Sequence, residues 1–247
     1  MIEIRHQEML STNDTQQAYD ELYDSGGIDL SDSYYLWLLN LLDPQPGKLL
    51  VDISCGRGQL VHFALKRGVN AIGLDFSKSA IKNCRIFDPR PNWIVSDGEM
   101  MGLRDGCADY ITHIGNLEHY QNPGAGIHEV SRLLKPDGIA CILLPNGFSL
   151  IGNVKHVMKT GEVFDDGQPL QRYNTNLGWK KLLFQNGLHV FKTARYEHFM
   201  PKTEQDWIAH LKKPTRILRW LFAWMVPFNL SNSFVYFCRR SKGSSCK

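Results

Sequence analysis

Between residues 47 and 146 the chain repeats one unit, a short apolar run followed by a segment with helical spacing. That repetition narrows the fold more than any other feature. The apolar runs are KLLVDI, NAIGLD, NWIVSD, ADYITHI and GIACILLPN, interleaved with GQLVHFALKRG, SKSAIKNCRIF and GIHEVSRLLK. Strands that are apolar along their whole length have no face to give to water, so they predict parallel pairing under helices on both sides. In the segment 127–134, Ile127, Val130, Leu133 and Leu134 share one helical face, and Pro136, Asp137 and Gly138 end the helix. The expectation is a doubly wound α/β sheet.

The flanks read differently. Two helices are expected before the alternation, around 16–23 and in SYYLWLLNLL, parted by Gly26 and Gly27. After Pro145 a Gly-rich, irregular stretch runs to residue 176, and at about thirty residues it has the length of a functional loop or lid. A helix (LGWKKLLFQNG), a strand (LHVFKTARYEHF), a long helix over 203–226 and a last strand (SFVYFCRR) follow. With 247 residues and 43% apolar content, one domain is expected over 1–247. Its parts would be an N-terminal helical cap (1–46), a ligand-binding core (47–146), a lid loop (147–176) and a C-terminal part (177–247) with the inserted helix 203–226.

No window approaches the roughly 20 apolar residues that cross a bilayer, and MIEIRHQEML lacks the apolar core of a secretory signal, so a cytoplasmic location is expected. The cysteines at 55, 84, 107, 141, 238 and 246 stand singly, with no CxxC pair and no His cluster at metal spacing. They read as free thiols, and no metal is expected. The net charge of +3 hides a division: residues 1–194 carry 18 Lys and Arg against 22 Asp and Glu, and 195–247 carry 10 against 3. A basic tail of this kind is a solvated face, or it meets an anionic substrate or a membrane surface.

The passage LLVDISCGRGQL is a buried strand, a glycine turn and a helix start. Gly56 and Gly58 let the backbone approach a ligand, and the helix N-terminus offers unpaired amides. The third glycine of the dinucleotide fingerprint is missing, which disfavours a nicotinamide cofactor. Seventeen residues past Gly58, Asp75 ends the next strand, where a carboxylate can accept both hydroxyls of a ribose. Asp97, beside Gly98 at the end of the third strand, could accept from an adenine amino group. Together with Asp52 these acids would repel a phosphate-rich ligand and suit a cationic sulfonium that carries an amino group. Taken singly, each could instead cap the following turn or helix.

VDISCGRG resembles the first motif of the class I S-adenosylmethionine-dependent methyltransferases, a strand, an acid and Gly-x-Gly-x-Gly. Ser54 stands where the first glycine usually lies, which is tolerable if its φ is negative. GLDFS resembles the ribose-binding strand end and SDGEMMGLRDGCADYI the adenine-binding segment. NLEHYQNPGAGIHEVSRLLKPDGIACILLPN resembles the Leu-Glu-His and Leu-Lys-Pro-Gly-Gly segments of the type-11 small-molecule group. The resemblance covers about residues 47–146 and implies a Rossmann-like seven-stranded sheet, mostly parallel with the last strand antiparallel, under a helical cap. It also implies that Ser54, Cys55 and Gly56 touch the methionine part, that Asp75 with its neighbour Phe76 holds the ribose, and that Asp97 and Gly98 hold the adenine. Ile114 and Gly115 would turn backbone carbonyls toward the sulfonium. Tyr19 and Tyr23 are candidates for a lid over the cofactor, or for ordinary packing of an amphipathic helix.

Methyl transfer to oxygen needs a base. His119, just past the fourth strand, is the leading candidate, against the reading of a structural histidine bonded to a backbone carbonyl. His113, inside the strand, reads as a core or supporting residue, and Glu118 as a possible acceptor contact. The apolar run ILRWLFAWMV (217–226) is flanked by Lys212, Lys213, Arg216 and Arg219. It covers the sheet or acceptor pocket, forms a dimer contact, or makes a peripheral membrane contact through 212–228. No nucleic-acid module accompanies it. The implied reaction is methyl transfer from S-adenosylmethionine to a small-molecule acceptor such as a sugar, quinone-type or secondary metabolite, at oxygen in the first place with nitrogen and carbon acceptors open, and with S-adenosylhomocysteine as product. A non-catalytic cofactor-binding protein and a Rossmann oxidoreductase are the alternatives.

Overall fold

The structure is a computed structural model that describes residues 1–5, 11–28, 30–197 and 200–241. In chain order the elements are β1 (Ile2–Arg5), α1 (Thr12–Asp24), α2 (Asp32–Leu42), β2 (Leu49–Ile53), α3 (Gln59–Lys66), β3 (Asn70–Asp75), α4 (Lys78–Phe87) and β4 (Asn92–Val95). There follow β5 (Ala108–Ile114), α5 (Pro123–Leu133), β6 (Leu134–Pro145), α6 (Lys155–Thr160), β7 (Leu170–Tyr173), α7 (Asn176–Gln185), β8 (Leu188–Tyr196), α8 (Glu204–Leu211), α9 (Pro214–Phe222) and β9 (Ser233–Arg240).

The main sheet has the order β4-β3-β2-β5-β6-β9-β8. β9, the last strand in the chain, runs antiparallel to both β6 and β8, and the other pairings are parallel. Helices carry most of the parallel crossovers and cover both faces of the sheet, α3 and α4 on one side and α5 on the other, which makes the fold doubly wound. Alternate residues of each strand therefore feed separate cores. Val51, Ile53, Ile142 and Leu144 pack with Ile127 and Val130 of α5 and with Trp179 of α7. Leu50, Cys141 and Leu143 pack with Leu38 and Leu39 of α2 and with Val61 of α3. Ile53 lies level with Leu74 and His113, and Leu74 with Ile94, so β2 to β5 finish together on one edge. The order of these strands turns back beside β2, the place where such sheets open a crevice.

Three segments differ from expectation. The stretch 147–176 is not irregular throughout, because it holds a π-turn (Leu150–Val154), α6 and β7. β7 forms a second sheet with β1, Ile2 opposite Tyr173 and Arg5 opposite Leu170. The helix expected over 203–226 is broken into α8 and α9: Pro214 lacks the amide that would continue α8, and it holds Lys213 at φ −130, ψ 81. The strand LHVFKTARYEHF ends at Tyr196, and His198, Phe199 and Cys246 lie outside the described residues. Among the described residues no helix is long and apolar enough to cross a membrane.

Candidate functional site

The turn after β2 is built on left-handed backbone at Ser54 (φ 55), Gly56 (φ 54) and Gly58 (φ 78). The negative φ expected of Ser54 is therefore not what the chain adopts, and a Cβ in this region costs about 1–2 kcal/mol. Two contacts hold it there: Asn116 Nδ2 donates to the Ser54 carbonyl at 3.3 Å, and the Ser54 and Tyr120 hydroxyls lie 3.1 Å apart. Gly56 donates its N–H to Asp75 Oδ2 at 2.8 Å, and a Cβ on it would meet the Tyr23 hydroxyl. Gly58 caps α3 with its Cα against the Trp93 ring, where a Cβ would come within 2.5 Å, and it stands off the cleft wall. Its absent side chain serves packing, not a ligand.

Above this turn the strand ends open into a cleft walled by Tyr19, Tyr23, Ser54, Asp75, Phe76, Asp97, Gly98 and His119. An adjoining recess, sharing Tyr23, Ser54 and Asn116, is lined by Asp52, Cys55, Gly56, Ile114 and Gly115. Every predicted cofactor residue except Gly58 faces one or the other. Asp75 is buried, which pushes its carboxyl up to about 6 even though the amides of Ser77 and Gly56 hydrogen-bond to it. Asp52 accepts from the Thr112 hydroxyl at 2.6 Å, yet burial raises it to about 7. Asp97 lies two residues beyond the end of β4 and accepts from the Glu99 amide.

α1 roofs the cleft through one face, Thr12, Thr15, Tyr19 and Tyr23. It is fastened by Gln16 Nε2 to the Phe76 carbonyl (2.8 Å), by Asp20 to the Ser77 hydroxyl (2.6 Å) and Ser79 amide, and by Asn83 Nδ2 to the Tyr23 carbonyl. Asp20 thus adds a negative charge at the N-terminus of α4, where the helix dipole favours one.

His119 sits in a 3-10 turn (Leu117–His119) after β5 and is buried. Its Nδ1 lies 2.6 Å from the Leu170 carbonyl, which can only accept, so Nδ1 carries the proton and Nε2 the lone pair. Nε2 receives the Gln168 amide at 3.0 Å, and Gln168 Oε1 in turn accepts from the Tyr19 hydroxyl. Burial holds the His119 pKa below its usual value and pushes Glu118 up to about 8. The two side chains, 4.0 Å apart, are therefore a neutral pair and not a salt bridge. Asp166 comes within 3.8 Å of Nε2. The turn itself is pinned from β7, where buried Arg172 donates to the carbonyls of Glu118, Tyr120 and Gln121 and to Glu3 of β1.

The sequence reading missed Tyr120, Asn116, Gln168 and Arg172. Tyr120 closes the wall against Gly98, with its hydroxyl between Ser54 and His113 Nε2 (3.0 Å). His113 is kept neutral, its pKa lowered to about 3 by burial. Tyr120 was in view beside His119, and Gln168 in the stretch marked as a lid. Arg172 gave no signal, because only the pairing of β1 with β7 brings it under the turn.

An acid placed for a ribose, glycines where side chains would fill the wall, and buried carboxyls near the strand ends fit an S-adenosyl ligand. The fold and cleft resemble those of the class I S-adenosylmethionine-dependent methyltransferases. Residues 51–142 match the family model described as a methyltransferase domain, and that part of the chain is such a domain. The chain is 31% identical over 117 residues to a demethylmenaquinone methyltransferase of Corynebacterium kroppenstedtii, covering 46% of this chain and 48% of that protein. It is 29% identical over 97 residues to a ubiquinone biosynthesis O-methyltransferase of Alkalilimnicola ehrlichii, covering 37% and 39%. The chain thus spans about half the length, or less, of these curated relatives. The crystal structure of a 1,6-didemethyltoxoflavin-N1-methyltransferase of Burkholderia thailandensis, with bound 1,6-didemethyltoxoflavin and S-adenosylhomocysteine, shares the fold. Its TM-score is 0.58 at 16% identity, over 94% of this chain and 87% of that one.

Proposed function

We propose that this protein transfers a methyl group from S-adenosylmethionine to a hydroxyl of a small molecule, a sugar, quinone-type or secondary metabolite, with His119 as the base. The observation that carries the reading is the His119 tautomer: Nδ1–H is held by the Leu170 carbonyl, which leaves the Nε2 lone pair, taken in this structure by the Gln168 amide, as the basic site of a residue that lines the cleft. The cofactor, when bound, supplies a methyl that is already electrophilic on its sulfonium. Asp75 would accept hydrogen bonds from the ribose hydroxyls, Asp97 and Gly98 would meet the adenine, and Ile114 and Gly115 would border the sulfonium. Tyr19 and Tyr23 on α1 keep water out of the cleft. The acceptor hydroxyl takes the place of the Gln168 amide at Nε2 and gives up its proton there as its oxygen takes the methyl. Asp166, within 3.8 Å of Nε2, would steady the imidazolium that results.

The relative from ubiquinone biosynthesis is an O-methyltransferase, which supports an oxygen acceptor. The described cysteines are all free thiols, which supports a reducing, cytoplasmic setting.

Calorimetric titration with S-adenosylmethionine, S-adenosylhomocysteine and NADH tests the cofactor. Micromolar binding of the first two, about −8 kcal/mol, with none of the third is expected. Asp75→Ala should weaken it by about 1–3 kcal/mol. Binding of NADH alone, or of nothing, would sink the proposal, and cofactor binding without turnover on any hydroxyl acceptor would leave a cofactor-binding protein.

A further inference from the structure

The C-terminal insertion presents an apolar surface that the transfer reaction does not use. On α9, Leu218, Leu221 and Phe222 fall at i, i+3 and i+4, and all three are exposed. The chain then turns through Trp224, which is 72% exposed, Met225 and Phe228. α8, packed on α9, adds Trp207, Ile208 and Leu211, all of them exposed too. An apolar face this extended is uncommon on a solvated surface. A second, sequence-distant segment joins it: a groove lined by Leu150, Ile151, Val154, Lys155, Met158 and Thr215 sets the π-turn and α6 against the start of α9, with Met158 84% exposed.

Its charge is one-sided. Residues 207–230 contain no Asp or Glu, and among them Lys212 and Lys213 are exposed and Arg216 partly so. Lys155 and Lys159 extend the basic rim along α6. Exposed tryptophan and leucine bordered by lysines and arginines match the interface of a bilayer whose headgroups are anionic, and at nine residues α9 can lie in that interface but not cross it. The groove also leads inward. Ile151 and Lys155 line both it and the polar cavity holding Asn146, Asp166 and Tyr173, and Asp166 is the residue within 3.8 Å of His119 Nε2.

We propose that α8, α9 and the turn through Phe228 dock this protein on anionic membrane surfaces, with Lys155 at the point where the docked face opens toward the His119 side of the fold. Docking does not depend on the transfer chemistry, and its test needs neither cofactor nor acceptor.

The full chain is floated with vesicles of phosphatidylcholine alone and of phosphatidylcholine mixed with phosphatidylglycerol, at low and high salt, and its mass in solution is read by light scattering. The expected result is capture by the anionic vesicles only, weakened by salt. Capture should fall about fivefold for each of Lys212→Ser, Lys213→Ser and Arg216→Ser, and about tenfold or more for Trp224→Ser with Leu221→Ser. These side chains face solvent, and circular dichroism checks that each variant folds. No capture of the parent chain, or equal capture by neutral vesicles at high salt, would overturn the proposal. So would a dimer that Trp224→Ser and Leu221→Ser dissolve, since the face would then belong to a second copy of the chain.

Discussion

At the scale of single residues, Ser54 shows how a departure from a motif is absorbed. Its positive φ costs about 1–2 kcal/mol, whereas a glycine there would cost about 0.5–1 kcal/mol in chain entropy and would lose the hydroxyl contact with Tyr120, about 1 kcal/mol. These terms nearly cancel, so Ser54→Gly should leave the urea unfolding free energy within about 1 kcal/mol of the parent. Ser54→Val keeps the strain, removes the hydroxyl and adds a second branch at Cβ, and it should lose about 2–3 kcal/mol. Equal stability of the valine variant would show that the turn relaxes to negative φ. His119 makes the second prediction. Its pKa is lowered by burial, so it is the neutral base at and above its usual value, and activity should fall only as pH drops through a midpoint below 6.5. His119→Asn should lower kcat by about 10²-fold or more and abolish that acid limb, while cofactor affinity stays within about twofold. A mutant that keeps the same limb assigns the titration to another group.

At the scale of elements, what the sequence made legible follows from periodicity. Runs such as LLVDI and ADYITHI carry their own burial signal, so β2 to β6 and α3 to α5 could be read locally, and the cofactor wall with them, because it is made of strand ends. β1, β7 and the Arg172 anchor could not. A four-residue strand has too little sequence to show alternation, and its partner lies about 170 positions away, a pairing that only the tertiary fold creates. The split between α8 and α9 was legible in principle, since Pro214 stands in plain view, but the apolar run on either side masked it. The β1–β7 sheet positions the His119 turn, and this can be tested at Arg172, buried and bonded to three carbonyls and Glu3. Arg172→Met should cost about 2–4 kcal/mol of stability. It should also lower kcat more than it raises the KM for the cofactor, because the turn and not the ribose end of the cleft is released. Steady-state kinetics with the cofactor varied separates the two, and a pure KM effect would place Arg172 on the cofactor instead.

At the scale of the whole molecule, the cleft concentrates carboxyls whose hold on a proton the fold strengthens, and this couples stability, pH and ligand charge. Burial raises Asp75 to about 6, Asp52 to about 7 and Glu118 to about 8. In the unfolded chain all three are ionised well below pH 6. Between pH 6.5 and 8 the folded protein therefore binds more protons than the unfolded one, and stability must fall as pH rises. The buried histidines oppose this only in part: burial lowers His113 and His119, and their unfolded forms, half protonated at their usual value of 6.5, are mostly neutral by about pH 7.5. Their effect lies below that pH, where they add stability as pH rises, as does Asp88, whose carboxyl Arg90 and His62 hold well below the usual range. The ligand-free protein should accordingly be more stable near pH 6 than near pH 8, with the midpoint of thermal unfolding dropping by several degrees across that interval. A cationic sulfonium beside these groups favours their ionised forms, so binding S-adenosylmethionine should release about one proton at pH 7. S-adenosylhomocysteine, whose sulfur is neutral, should release measurably fewer. Calorimetry at pH 7 in two buffers of different ionisation heat counts those protons directly. Equal release with both ligands would mean that the acids respond to the ribose and the amino group and not to the sulfonium charge, and the cleft would then be selecting its ligand by shape.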